Sequence, residues 1–292
     1  MAFQRWESED EYTHAFRIFN SHHTYMNSLY WSHVPASTFV QATYRKNANS
    51  GQTTNQVFNL SGPDSNRVAQ SLEDYSKHLK EFDNWVRLNT LVSVLGYFEI
   101  YLGSIISLSV ESDPGILFSI TRKIDGVSVL KHSTSEQYSF YEKSDEITKG
   151  EWSTRVANYG KIFGLIPIDL GKNITALDKM RKIRNNVAHA FGRDINLSRA
   201  RSTWKMLEIE RLSEDRLKRY MEIIRKVARG IDAHLLEKHI GSYEMLHFYH
   251  TNIKNFDPSK NLFDFKVEIN SLNVKNKGIT YCKDLVSYYN SI

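Results

Sequence analysis

Residues 91–110 read LVSVLGYFEIYLGSIISLSV, an apolar run with a single charge, Glu99. By length alone such a run could cross a bilayer. A carboxylate near its centre is costly in lipid, however. No dense cationic flank marks either end, and no second run of this kind occurs. A helix that is apolar on every side is also what the middle of a helical bundle requires. The run therefore predicts a buried helix at the heart of an all-α domain, with no membrane association.

Upstream, Ser71 followed by Asp74 is a suitable N-cap, so this helix is expected to start near residue 71 and run to about residue 110. Downstream, residues 111–150 read as loop-rich. Trp152, Val156, Tyr159 and Phe163 then recur at helical spacing. Asn173 or Thr175 opens another helix, with the stripe Leu177, Met180, Ile183, Val187 and Phe191, and Gly192 stops it. A short extended segment over Trp204–Leu212 leads to Ser213, the N-cap of a helix carrying Leu217, Tyr220, Ile224, Val227, Ile231 and Leu235. Residues 1–70 read as irregular and aromatic-rich, with short elements only. Beyond Gly241 a short helix (243–252) is followed by Phe263-Asp-Phe-Lys-Val-Glu-Ile269, whose alternation predicts a half-buried strand, and by a helix over 281–289. The expected fold class is all-α, a helical bundle over 71–240. An N-terminal extension (1–70) and a small mixed α/β C-terminal extension (241–292) flank it.

With 292 residues, 41% of them hydrophobic, the chain can bury its own core without a disulfide or metal. Its one cysteine, Cys282, excludes an internal disulfide and Cys-based zinc sites. The opening MAFQRWESEDEY is too acidic for a secretion signal, which leaves the reducing cytoplasm as the expected compartment. The net charge is +5, unevenly spread: Lys172–Arg229 holds 16 Lys/Arg against 7 Asp/Glu. A basic block on an otherwise slightly acidic chain points to an anionic partner.

The common nucleotide-binding, hydrolase and zinc-protease motifs are absent. His239, His247 and His250 lack carboxylate or thiolate neighbours in a metal-ligand spacing, so no metal or cofactor is expected. The pattern R-x4-H occurs three times, at Arg17…His22, Arg184…His189 and Arg229…His234. Only the middle copy lies in the basic block at a helix end, within LDKMRKIRNNVAHAFGRD, and only there do two asparagines follow the arginine. Asn185 and His189 are one helical turn apart, and Arg181 is one turn before Asn185. Arg184 reaches round from the adjacent position. Arg181, Lys182 and Arg193 flank the motif and are the expected phosphate-binding residues.

R-N-x-x-x-H near the end of a bundle helix resembles the signature of the HEPN superfamily (higher eukaryote and prokaryote nucleotide-binding domain). Three further features are similar: the apolar helix with an embedded acid, Tyr97-Phe-Glu-Ile-Tyr101; the step His-Ala-Phe-Gly192 after the motif; and the following helix, ending Gly-Ile-Asp-Ala-His-Leu235. Together these features resemble HEPN domains of prokaryotic defence and toxin systems, and the resemblance covers about residues 71–240. It implies a metal-independent RNA endonuclease working as a homodimer, its site built from two facing motif helices. An inhibitor or trigger protein is a further implied partner. His189 would move protons, a task suited to a residue type that titrates near pH 6.5. Arg184 would stabilise phosphorane charge, and Asn185 would orient His189 or hold a phosphate oxygen. Glu99 is the expected partner of Arg184 or His189, in a catalytic or positioning role, or else half of an ion pair that only fixes the bundle. In HEPN toxins controlled by a nucleotidyltransferase the motif continues H-x-Y. Here that place holds Phe191, which has no hydroxyl to modify. The other function consistent with the sequence is a non-catalytic HEPN-like module that binds a nucleotide or a partner protein.

Overall fold

The computed structural model describes residues 3–132, 141–200, 204, 206–252, 262–272 and 276–292. Its elements are α1 (His14–Asn47), α2 (Thr54–Val57), α3 (Leu72–Ser112), α4 (Gly126–His132), α5 (Tyr141–Thr148), α6 (Trp152–Phe163), α7 (Ile168–Lys172), α8 (Ile174–Ala190), α9 (Ile195–Arg199), α10 (Glu214–Leu235), α11 (Tyr243–Asn252), α12 (Leu262–Ser271) and α13 (Ile279–Ser291). Two single turns of 3-10 helix precede and follow α3, and a π-helical turn, Leu236–Ile240, continues α10. The chain divides into two compact units. Unit 1 comprises residues 1–21, 97–178 and 223–292; unit 2 comprises 22–96 and 179–222.

Unit 1 is built round aromatic rings. Phe16, Phe19, Phe98 and Tyr101 cluster, and Trp152 stacks on Phe98 at 5.7 Å. Each such ring, fully buried, contributes roughly 1.5–3 kcal/mol. The stripe of α6 is buried throughout, and Asp178 Oδ1 accepts the Trp152 N–H at 3.2 Å where that helix begins. The tail closes a second cluster. Tyr249 of α11 meets Phe265 of α12 and Tyr289 of α13, each at 5.1 Å. Buried Arg5 ties the N-terminus into this unit, through Asp125 Oδ1 at 3.0 Å, Ser112 Oγ at 2.8 Å and the Ile240 carbonyl at 2.7 Å. Without those acceptors a buried guanidinium would be strongly destabilising.

In unit 2, three side chains one turn apart on α1 converge on one carboxylate of α3. His33, Ser37 and Gln41 bond Asp83 at 2.9, 2.8 and 2.9 Å. Buried Asn84 donates to the Glu210 carbonyl and accepts the Leu212 N–H, both at 2.9 Å. Arg87 Nε donates to the Leu212 carbonyl at 2.6 Å. Residues 206–213, irregular before α10, are thereby fastened to α3 by backbone-directed bonds, which are insensitive to the side chains along them.

Three expectations need correction. The mixed α/β C-terminal extension is wrong: 263–269 lies inside α12, and no strand occurs among the described residues. Phe265 and Ile269, four apart, are buried, whereas Phe263 and Val267 are 65% and 53% exposed. One side of a helix is covered there, not one face of a sheet. The irregular N-terminal region is also wrong, because α1 is 34 residues long. Its buried positions Phe16, Phe19, His23, Tyr30 and Ser37 follow a near-heptad spacing that mixes aromatic with polar residues. Thirdly, the apolar run of α3 is covered on one side only. Leu91, Val94, Phe98 and Ile105 are sequestered, while Ser93, Tyr97, Ile100 and Ser104 form an exposed stripe.

Candidate functional site

The stripe Leu177, Met180 and Ile183 is buried and fixes the rotation of α8; Val187 is half-buried and Phe191, at the end of the expected stripe, is exposed. That rotation brings Arg184 and Asn185 to a half-buried edge and His189 to the surface in the last turn. Arg184 Nη1 donates to Asn185 Oδ1 at 3.0 Å, so two motif residues form one hydrogen-bonded pair. No hydrogen bond from the described residues holds the His189 ring.

Helix α8 ends abruptly. Phe191 (φ 52°) and Gly192 (φ 78°) both adopt left-handed backbone. The Gly192 N–H returns to the Asn186 carbonyl at 2.9 Å and the Arg193 N–H to the Ala190 carbonyl at 3.0 Å, satisfying carbonyls of the last turn. Glycine is required at 192 twice over. Its φ is positive, and a Cβ there would lie 2.9 Å from Ile209 Cγ2. The Gly192 carbonyl accepts the Glu210 N–H at 2.8 Å, and Arg193 Nε donates to the Leu207 carbonyl at 2.8 Å. The end of the motif helix is thus locked to the segment that Asn84 and Arg87 fasten to α3.

Charge in the basic block is spent unequally. Arg211 pairs with Glu81 at 2.6 Å, Arg216 with Glu210 at 2.8 Å and Lys218 with Asp215 at 2.9 Å. Lys179, Lys182, Arg193 and Arg199 have no acidic partner among the described residues. Uncompensated positive charge therefore lies around α8 and α9, beside the motif, and also on α10, where Arg219 and Arg225 have no acidic partner among the described residues.

Glu99 lies in unit 1, half-buried, with Arg155 Nη2 3.7 Å from its carboxylate. Arg155 is itself buried against Trp152, its guanidinium 4.8 Å from the indole centroid. The ion-pair alternative raised for Glu99 thus has a partner in unit 1, one that sequence reasoning overlooked. Arg155 follows Trp152 by three residues in a predicted helix, a spacing that could have suggested it.

The other two R-x4-H copies are set differently. His234 Nδ1 shares a 2.7 Å hydrogen bond with the Tyr159 hydroxyl, and burial pushes its pKa down to about 4. Burial also lowers the pKa of His22. Of the histidines weighed as metal ligands, His239 bonds buried Asp113 at 3.0 Å and His250 bonds the Tyr289 hydroxyl at 2.7 Å. Among the described residues no group of three or more His, Cys, Asp or Glu is arranged to hold a metal ion.

Sequence reasoning also passed over two carboxyls in unit 1. Buried Asp232 accepts from Thr13 Oγ1 at 2.5 Å and Thr13 N at 3.1 Å, and Glu244 accepts the first N–H of α1, that of His14, at 3.0 Å. Desolvation outweighs these bonds and pushes the pKa of Asp232 up to about 6 and that of Glu244 up to about 7. Asp232 follows Ile231 and is one turn from Leu235, so its place on the apolar side of α10 was visible in the stripe.

Two clefts of unit 1 are acidic. One of about 520 Å³ is lined by Glu7, Asp10, Glu11 and Glu237 against Arg122 and Lys238. Another, of about 470 Å³, is lined by Glu7, Glu9 and Asp284. Neither suits a polyanion. Comparison with protein-family models, with curated proteins and with solved structures yields no match for this chain.

Proposed function

We propose that the chain is a metal-independent RNA endonuclease of HEPN type, working in the cytoplasm as a homodimer in an anti-phage or toxin system. The observation that carries this reading is the Arg184–Asn185 pair beside an unheld, exposed His189 in the final turns of α8. The unpaired cations next to it supply the electrostatic attraction that a phosphate backbone needs.

RNA brings its own nucleophile. His189 removes the proton of a 2′-hydroxyl, whose oxygen attacks the adjacent phosphorus. The bond from phosphorus to the 5′-oxygen breaks, and that oxygen takes a proton from the second protomer's copy of the same histidine. Arg184 offers two parallel N–H donors to the non-bridging oxygens, where negative charge grows in the transition state. Asn185, already bonded to Arg184, fixes the plane of that guanidinium. Arg181, Lys182 and Arg193 hold flanking phosphates, and an inhibitor or trigger protein would control access to the site.

The test is a defined RNA incubated with excess EDTA, with the new ends identified by mass. The expected result is cleavage that EDTA does not affect, leaving 2′,3′-cyclic phosphate and 5′-hydroxyl ends, with the matching DNA intact. Cleavage abolished by EDTA, or 5′-phosphate ends, would replace the roles given to His189 and Arg184.

A further inference from the structure

The motif turn carries a residue that neither the acid–base step nor phosphate binding uses. Phe191 lies two positions after His189, in left-handed backbone (φ 52°), a conformation unusual for a bulky side chain. The residue is 57% exposed. A bulky residue held in left-handed backbone is strained, and such strain concentrates at functional positions. The surroundings maintain it. Gly192 is buried beneath the turn against Ile209 and Leu88, and Arg193, anchored through the Leu207 carbonyl, places its guanidinium 5.4 Å from the Phe191 ring centroid. A cation over an aromatic ring both orients the ring and puts positive charge beside it.

We propose that Phe191 is a stacking platform for an unpaired base next to the scissile phosphate. This inference rests on the nuclease reading above. An exposed ring flanked by uncompensated cations is the combination that single-strand binders use: the rings accept bases and the cations follow the backbone. Bases inside an A-form duplex are stacked on each other and have no free face to offer. Phe191 acts on binding, whereas His189 and Arg184 act on the chemical step.

The experiment compares wild type with Phe191→Trp, Phe191→Ala and Phe191→Gly on one short labelled RNA, presented single-stranded or annealed to its complement. Binding is read by fluorescence anisotropy and cleavage by steady-state kinetics. The glycine variant accepts the positive φ without strain, so it removes the ring while relaxing the turn. For the single strand, Ala and Gly should each raise Kd and KM about tenfold, the scale of one lost base–aromatic stack. kcat should stay within about twofold, Phe191→Trp should bind at least as well as wild type, and the weaker affinity for duplex should not change. Wild-type cleavage with unchanged Kd and KM in both Ala and Gly variants would overturn the stacking role and leave the nuclease reading intact. So would equal losses on single strand and duplex. A wild type that neither binds nor cleaves RNA would overturn both.

Discussion

Arg229…His234 in unit 1 and Arg184…His189 in unit 2 have the same spacing, each on a helix, yet the molecule treats their histidines in opposite ways. His234 is bonded to Tyr159 and kept neutral by burial, its pKa pushed down to about 4. His189 is exposed, with no hydrogen bond from the described residues. Their settings differ in charge as well. Unit 2 carries 18 Lys/Arg against 11 Asp/Glu, whereas unit 1 carries 20 against 22 and lines two of its clefts with carboxylates. Spacing alone says little about chemistry. What separates the two copies is whether the fold consumes the histidine's hydrogen bonds, and what charge surrounds it.

The largest expected effect falls on the motif arginine. Arg184→Ala should lower kcat for RNA by about 10²- to 10³-fold, the usual scale for removing a donor to a developing oxyanion. Arg184→Lys should recover little, since an ammonium lacks the planar fork. The same two substitutions at Arg229 should leave the rate unchanged within about twofold, because Arg229 faces Glu11 at 3.5 Å and the Tyr12 ring at 5.6 Å on the surface of unit 1. A comparable loss at Arg229, measured by single-turnover cleavage, would erase the contrast between the two copies.

The turn that ends the motif helix sharpens the comparison through stability. Gly192→Ala forces a Cβ to within 2.9 Å of Ile209 at φ 78°, and should cost about 1–3 kcal/mol by urea unfolding. Gly230→Ala, inside α10 of unit 1, meets only the Cβ atoms of Pro167 and Asp169 at 3.6 and 3.9 Å. At a helical site with that much room, alanine should stabilise by about 0.4–1 kcal/mol. Equal effects at the two glycines would mean that the turn is not under the constraint described.

The smallest effect is a pH dependence confined to unit 1. Asp232 and Glu244 have pKa values raised in the folded state, to about 6 and about 7, so the native state binds their protons more tightly than the unfolded chain does. Their contribution is fully present below the ordinary carboxyl range and is lost as pH rises through about 6 to 7. His234 has the opposite sign. Its pKa is depressed to about 4, so its contribution is present above about pH 6.5 and is lost as pH falls towards 4. Between pH 8 and 6.5 the carboxyls dominate and Tm should rise as pH falls. Glu244→Gln, a neutral isostere, should flatten that rise by an amount of order 1 kcal/mol in stability. An unaltered profile in the variant would show that Glu244 titrates in its ordinary range.

The helical reading succeeded where burial follows one clean stripe. Trp152, Val156, Tyr159 and Phe163 of α6 are buried as their spacing predicts, and so is the run from Leu217 to Leu235 of α10. It failed where two periods fit the same letters. In Phe263–Ile269 every second residue is apolar, but the buried pair Phe265 and Ile269 is also four apart, and tertiary packing selected the helix. It failed again in α1, whose buried line includes His23 and Ser37, residues a hydrophobic count does not score. For the site, the motif letters and the local basic block were legible. The Arg184–Asn185 bond, the left-handed Phe191 and the Arg155 partner of Glu99 depend on distances that linear order does not encode.

The central claim is that His189 moves the proton in RNA cleavage, and the most direct test compares wild type with His189→Ala on one RNA. Melting curves are recorded on the same preparations, and His234→Ala serves as the same substitution in the other unit. The account predicts that His189→Ala loses at least about 10²-fold in cleavage rate with an unchanged Tm, because the side chain is exposed and unheld. His234→Ala should instead lower Tm, because it breaks the Tyr159 bond, and keep a near-normal rate per folded molecule. Full activity in His189→Ala, or a loss matched by His234→Ala at equal folded concentration, would contradict it.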